Sequence, residues 1–261
     1  MFDIRYSSNI TIENVTIKNC KDNSYSAIHC YQSSTVNIDG CTFINNTRDM
    51  DGGAIWMHYN AQDCTVSNCV FIGNNATLNG GAIYWAGGSD NGRILNCIFI
   101  NNTADMGVIF WHNNNNCSIY NCIFLNNNLT DDSVTDDLVC TASPIDADRI
   151  WFGKTADNYK DPLPRRFKIN FKSILFLDAT ASKKSVNVLD TADITFKLRL
   201  YDLDSGNVSE CDNTPFKKLN LTVTSTNGNV NKNIIKLNEK LTFTAKSVNA
   251  ATITATAENC S

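Results

Sequence analysis

The sequence predicts an all-β chain in two parts, a right-handed parallel β-helix followed by an immunoglobulin-like β-sandwich. Three observations carry the prediction. A phrase of cysteine, phenylalanine, asparagines and paired glycines, "GCTFINNTRDMDGGAIWM" at 40–57, returns as "NCVFIGNNATLNGGAIYW" at 68–85. The repeating part is made of short alternating strands between Asn or Gly corners, without the 3.6-residue period of an amphipathic helix. Beyond residue 173 the phrase is gone and a clear period-2 alternation replaces it.

The repeat gives the first part its architecture. Anchored on cysteine, its copies fall at Cys20, Cys41, Cys69, Cys97 and Cys122, with spacings of 21, 28, 28 and 25 residues. Three places before each lies an aliphatic residue (Ile17, Ile38, Val66, Ile94, Ile119), and immediately before each stands Asn or Gly (Asn19, Gly40, Asn68, Asn96, Asn121). The last four copies add Phe43, Phe71, Phe99 and Phe124 two places on, then Asn46, Asn74, Asn102 and Asn127. A unit this short, made only of strands, cannot bury its own apolar face, so successive units must stack as coils of a solenoid. Stacking at about 4.8 Å puts equivalent residues directly above one another. Asn or Gly before each cysteine then turns a corner that needs the left-handed backbone region. The Cys and Phe columns fill the core, and the Asn column is expected to form an amide ladder.

Each glycine pair opens a strand: Ala54-Ile55-Trp56-Met57, Ala82-Ile83-Tyr84-Trp85, and Val108-Ile109-Phe110-Trp111 after "MG". Alternate residues point to opposite faces. Either the Ile column faces inward and Trp56, Tyr84 and Phe110 form an outward aromatic stripe, or the reverse holds. These residues, with Trp85 and Trp111, are the candidate binding residues, because exposed aromatics mark interaction sites. The competing reading half-buries them under a loop.

The other chemistry-bearing residues point to no catalytic or metal centre. Eleven cysteines occur without a Cys-x-x-Cys pair, so core thiols are expected, with coil-to-coil disulfides as the alternative, and neither a metal nor a cofactor. His29, His58 and His112 read as separate residues, the last two sharing a column with Ala86 between them. Polysaccharide lyases and glycoside hydrolases use the same pectin-lyase-like solenoid, but hydrolysis needs two acids facing one bond. Asp49, Asp51 and Asp105 sit in turns whose equivalent in the middle coil, "TLNGG", has none. They and Arg48 are therefore expected to be solvated, and the chain is expected not to be an enzyme.

In the second part, "CTASPIDADRIWFGKTADNYKDPLPRR" is expected to cap and link, and strands follow at Ile194–Leu200, Leu219–Val223 and Leu241–Phe243. Several short strands in this span, with turns at "DLDSGN" and "STNGN", suggest the sandwich. Cys211 and Cys260 are candidates to pair within it. The domain reading is 1–140 β-helix, 141–173 cap and linker, and 174–261 sandwich.

Composition agrees with an ordered exported chain. Of 261 residues 43% are hydrophobic and 18% charged, enough for a buried core. The net charge of -4 and a single short basic run, "PRRFKINFK" at 164–172, argue against nucleic-acid partners. Ten Asn-x-Ser/Thr sequons permit glycosylation. No stretch has the length of a membrane span and the opening residues lack a signal-peptide pattern, which leaves a cytosolic protein or an internal fragment; the opening residues already sit inside the repeat, which favours the fragment, attached to a membrane or wall only through parts outside it.

"FINN" and "GGAI" resemble the repeats of chlamydial polymorphic outer-membrane proteins. "NCIFINNTADMG", "DADRIWFGKTADNY", "SILFLDATAS" and "LTVTSTNGNVNK" resemble more closely the adhesin-like surface proteins of methanogenic archaea, in which a right-handed β-helix precedes invasin-type immunoglobulin-like domains. The coil with "MGVIF" departs from the full "GGAI". The resemblance implies a cell-surface, extracellular adhesin segment whose partners are glycans or proteins of another cell. The alternatives are a polysaccharide-cleaving enzyme and a structural spacer.

Overall fold

The computed structural model describes residues 1–131, 137–141, 143–161, 163 and 168–260, with the side chains of 258–260 outside the description. The basic residues Arg165 and Arg166, and the side chain of Cys260 as a partner for Cys211, lie outside the described residues. The chain divides into two compact units, Met1–Trp151 with Asp161–Ile174, and Phe152–Lys160 with Leu175–Ser261.

The first unit is a parallel β-solenoid of about six turns. One sheet stacks Phe2–Arg5, Ile28–Tyr31, Ile55–His58, Ile83–Trp85, Ile109–Trp111 and Leu138–Cys140. A second runs from Ser8–Glu13 through Ser34–Asp39, Thr65–Ser67, Arg93–Leu95, Ser118–Tyr120 and Ile145–Asp148 to Ile169–Phe171. A third stacks Thr16–Lys18, Thr42–Ile44, Val70–Ile72, Ile98–Ile100 and Ile123–Leu125, and a fourth is made of two-residue strands beginning at Thr47, Asn75, Thr103 and Asn128. Among the described residues the strands of successive coils pair parallel and in register, as in Val70↔Ile98, Phe71↔Phe99 and Ile72↔Ile100.

Inside, the repeat columns become the core. Phe43, Phe71, Phe99 and Phe124 are buried and stack face to face, with centroids 4.7–4.8 Å apart. Cys41, Cys69, Cys97 and Cys122 are buried beside them, each thiol turned toward a carbonyl of the coil before, as Cys69 Sγ toward Ile38 O at 3.6 Å. These four, with Cys20, Cys30, Cys64 and Cys117, are free thiols. Asn46, Asn74, Asn102 and Asn127 form a continuous amide column. Asn46 Nδ2 donates to Asn74 Oδ1 at 2.9 Å, Asn74 to Asn102 at 3.0 Å and Asn102 to Asn127 at 3.1 Å. The same oxygens accept backbone N–H groups, and each Nδ2 also donates to a carbonyl such as Phe43 O. Column and backbone therefore satisfy one another's buried polar groups.

The corner before each cysteine is left-handed at Gly40, Asn68, Asn96 and Asn121, with φ of 52–63°. The glycine pair divides two tasks. Gly52 and Gly80 adopt φ of 74° and 67°, whereas a Cβ on Gly53 would stand 2.2 Å from Gly81 O of the next coil.

The first coil corrects the sequence register. Ile17 pairs with Phe43, and Ile12 with Ile38. Val15 therefore takes the cysteine position and Asn14 the corner, facing Gly40. Cys20 lies level with Asn46, its N–H donating to Asn46 Oδ1 at 3.1 Å. An Asn-Cys pair fits here because a second corner of the coil also demands a left-handed residue: Asn19 and Asn45 have φ of 56° and 51°.

The second unit holds two sheets. One orders Ser173–Ala181, Thr191–Asp202, Lys240–Ala245 and Gly228–Val230, with Val208–Glu210 also paired to Thr191–Asp202; the other orders Ile234–Ile235, Leu219–Ser225 and Ile253–Cys260. Alternation along Thr191–Asp202 buries Ala192, Ile194, Phe196 and Leu198, and Phe216, Leu219, Leu221 and Leu241 join the buried set.

Candidate functional site

The first sheet of the solenoid carries the densest cluster of ring side chains. Its strands are short, so each contributes one or two outward positions, and parallel register arranges these in columns. Ile28, Ile55, Ile83 and Ile109 face inward and are fully buried, as are Cys30, Met57, Trp85 and Trp111. Residues between them face the other way. The pairings His29↔Trp56, Trp56↔Tyr84, Tyr84↔Phe110 and Phe110↔Val139 make one outer column. Tyr31↔His58 begins a second, which continues by register through Ala86 and His112.

Trp85 and Trp111 therefore do not serve as surface binding residues: both stand at 0% exposure on the core face. Phe110 and Tyr84 point outward but are covered, packing with Ala86, Val139, Met106 and Leu129. Of the expected stripe, Trp56 keeps partial exposure, and its buried indole Nε1 makes no hydrogen bond.

Two groups thought separate are brought together. His29 Nε2 and His58 Nδ1 are 3.1 Å apart, and His29 Nδ1 lies 2.9 Å from Asp3 Oδ1. With Asp3 ionised, His29 donates from Nδ1 and accepts at Nε2; His58 then donates from Nδ1 and keeps its Nε2 as an acceptor. Asp3 is in turn held by Arg5 at 2.9 Å. The His58 ring stacks on Trp56 at 3.7 Å. Burial, then the neighbouring His29, Arg48 and Arg5, lowers His58 to about 4, and burial also lowers His29. Both rings are neutral at physiological pH.

Arg48 is likewise not solvated. It is 2% exposed, its guanidinium carbon 3.9 Å from the Trp56 ring centroid, and it donates to Asp51 O and Ser24 O. Burial depresses its pKa. Asp51, expected to be solvated, is anchored too: its Oδ1 accepts from Asn79 N at 3.0 Å and Asn79 Nδ2 at 2.9 Å. Across the groove, the Tyr84 hydroxyl lies 2.9 Å from His112 Nδ1. Burial raises the Tyr84 phenol to about 12, so the hydroxyl keeps its proton, and it ties down His112 Nδ1 while leaving His112 Nε2 free to meet a ligand.

Between these groups lies a groove of about 520 Å³, lined by Asp51, Trp56, His58, Tyr59, Tyr84, Ala86, Gly87, Gly88, His112 and Asn113. Among the described residues no group of three or more His, Cys, Asp or Glu is placed to hold a metal ion.

Residues 1–128 match the family model of right-handed β-helix regions. The solenoid is a right-handed β-helix. No curated protein and no solved structure matches the chain. Sequence reading reached Trp56 and Tyr84 through the strand pattern. The column of His58, Ala86 and His112 was legible in the repeat, whereas the His29–His58 contact was not, because His29 was read as a separate residue.

Proposed function

We propose that the chain is a non-enzymatic cell-surface adhesin segment. In this reading the β-helix carries a rigid recognition groove, and the second unit is an immunoglobulin-like sandwich acting as a stalk. The partners are surface glycans or proteins of another cell, and attachment to a membrane or wall runs through parts outside this sequence. The observation that carries the reading is the groove, where the rings of Trp56, His58, Tyr59 and His112 stand beside Asp51 and Asn113. Aromatic faces with polar neighbours suit sugars, which present C–H faces and hydroxyl rims, and an aromatic patch of this kind marks interaction surfaces generally. The order of parts, which resembles that of archaeal adhesin-like proteins, supports the surface setting.

Glycan-array and whole-cell binding by the purified chain tests it. Saturable binding that drops at least about tenfold in Trp56→Ala with Tyr84→Ala is the expected result, corresponding to the loss of about 1.4 kcal/mol. Unchanged binding removes the groove from the account, and no binding in either assay leaves the spacer reading.

A second reading, a polysaccharide-cleaving enzyme, draws on one observation: His58 backed by His29 and Asp3 faces the same groove as the Tyr84–His112 pair, and such groups can exchange protons. It ranks second because Asp51 is the one carboxylate among the residues lining the groove, whereas hydrolysis uses two. Release of reducing ends or unsaturated products from pectin-like or host glycans would reverse the ranking.

A further inference from the structure

The outer face of the first sheet is built of rings, and one is missing. By register the second outer column runs Tyr31, His58, Ala86, His112. Its neighbour runs His29, Trp56, Tyr84, Phe110 without a gap. Inside the β-helix the chain places one phenyl ring per coil at 4.7–4.8 Å, which is the thickness the coil spacing allots to a ring. His58 and His112 are two coils apart, or about 9.6 Å at ordinary strand spacing. The methyl of Ala86 therefore leaves an interval one ring thick between two imidazoles, and Gly87 and Gly88 add no side chain to close it.

The walls also define the chemistry. The His58 side offers an acceptor, Nε2, because its Nδ1 proton goes to His29. The His112 side offers its Nε2, because its Nδ1 is engaged by the Tyr84 hydroxyl. Arg48 spends two guanidinium nitrogens on the carbonyls of Asp51 and Ser24, and the Asp51 carboxylate borders the opening. An anionic ring would meet that carboxylate with no free cation lining the groove to offset it. Neutral hydroxyls, each able to donate and accept, suit the imidazole Nε2 atoms on both sides.

We propose that the Ala86 interval is a one-ring slot that takes a single neutral hexopyranose, the terminal residue of a glycan, held between the ring edges of His58 and His112. The inference rests on the proposed glycan recognition and specifies where and in what form it occurs.

The chain has three histidines, so the imidazole C–H signals in a proton NMR spectrum can be assigned by single substitutions. Titration with methyl hexopyranosides, the corresponding methyl hexuronates and 4-methylphenol tests the slot. The expected result is that the His58 and His112 signals move along one saturation curve with neutral hexosides, while the uronates bind at least about tenfold more weakly. Ala86→Phe, which supplies the missing ring, should abolish the shifts. Should that variant fold poorly, His112→Ala at an exposed position serves instead, with an expected fivefold to tenfold weakening, about the value of one aromatic contact. Shifts that persist unchanged in both variants, or that arise with 4-methylphenol and not with hexosides, overturn the slot. Glycan binding on an array with silent His58 and His112 signals overturns the slot and leaves the proposed function standing. Absence of glycan binding in every assay overturns both.

Discussion

At the residue scale, the asparagine column shows how much one amide can hold. Asn74 accepts from the N–H and the side chain of Asn46, and donates to Phe43 O and to Asn102. Asn74→Ala would leave several of these groups buried without partners, and each unsatisfied group costs about 1–3 kcal/mol. The expected loss is at least about 3 kcal/mol in urea unfolding, with Asn74→Asp no better because a carboxylate cannot donate to Phe43 O. A loss under about 1 kcal/mol would mean that water replaces the amide and the column is not sealed. The histidine pair gives a second residue-scale prediction, with a definite sign. His58 is lowered from 6.5 to about 4 in the folded chain, so between those values the unfolded chain binds more protons. Its contribution to stability is complete above about pH 6.5 and is lost as pH falls toward 4. Thermal melts of the wild type should therefore drop across this window, and His58→Gln should flatten that drop. An equal slope in both would place the acid sensitivity elsewhere.

At the element scale, the coil is the unit, and glycine decides whether coils can close on one another. Gly53→Ala puts a methyl 2.2 Å from Gly81 O, where the contact is backbone and cannot swing away. The expected cost is at least about 2 kcal/mol, in the range of an overpacked core. Gly206→Ala, in open space with φ of 71°, pays only for its backbone conformation, about 1–2 kcal/mol. Paired denaturation curves would rank the two, and a reversed order would mean that the coils yield at Gly53. The same scale explains what the sequence disclosed. The Phe, Cys and Asn columns were legible because stacking turns a repeat in one dimension into contact in three. The first coil was misread at Cys20 because two corners share the demand for a left-handed residue, and an Asn-Cys pair satisfies the pattern at either. The groove was harder still. It depends on His29 reaching His58 across a coil, and a side-chain contact of that kind leaves no motif. Arg48 reads as a turn residue until the fold lays it on Trp56.

For the whole molecule, stacking makes the stability of the β-helix close to a sum of coil terms and neighbour terms, so opening one coil exposes the faces of two others. The buried thiols report on this directly. Burial raises Cys64 to about 11 and Cys117 to about 12, and holds Cys97 well above the usual thiol range. The thiolate is the reactive form, so these sites can be alkylated only when their coils open. Iodoacetamide at pH 8 across a urea series, read by mass spectrometry, should leave Cys64, Cys97 and Cys117 unlabelled in native buffer and label all three along one transition. Cys64 belongs to the coil that carries His58, and Cys117 to the coil that carries His112. If Cys64 and Cys117 became labelled at a lower urea concentration than Cys97, the β-helix would open first beside the second sheet, where Cys64 and Cys117 precede their strands, while the Phe column stayed closed. A single transition would instead mean that the groove and the core share one cooperative unit. The rigidity of the groove would then come from the same ladders that hold the coils together.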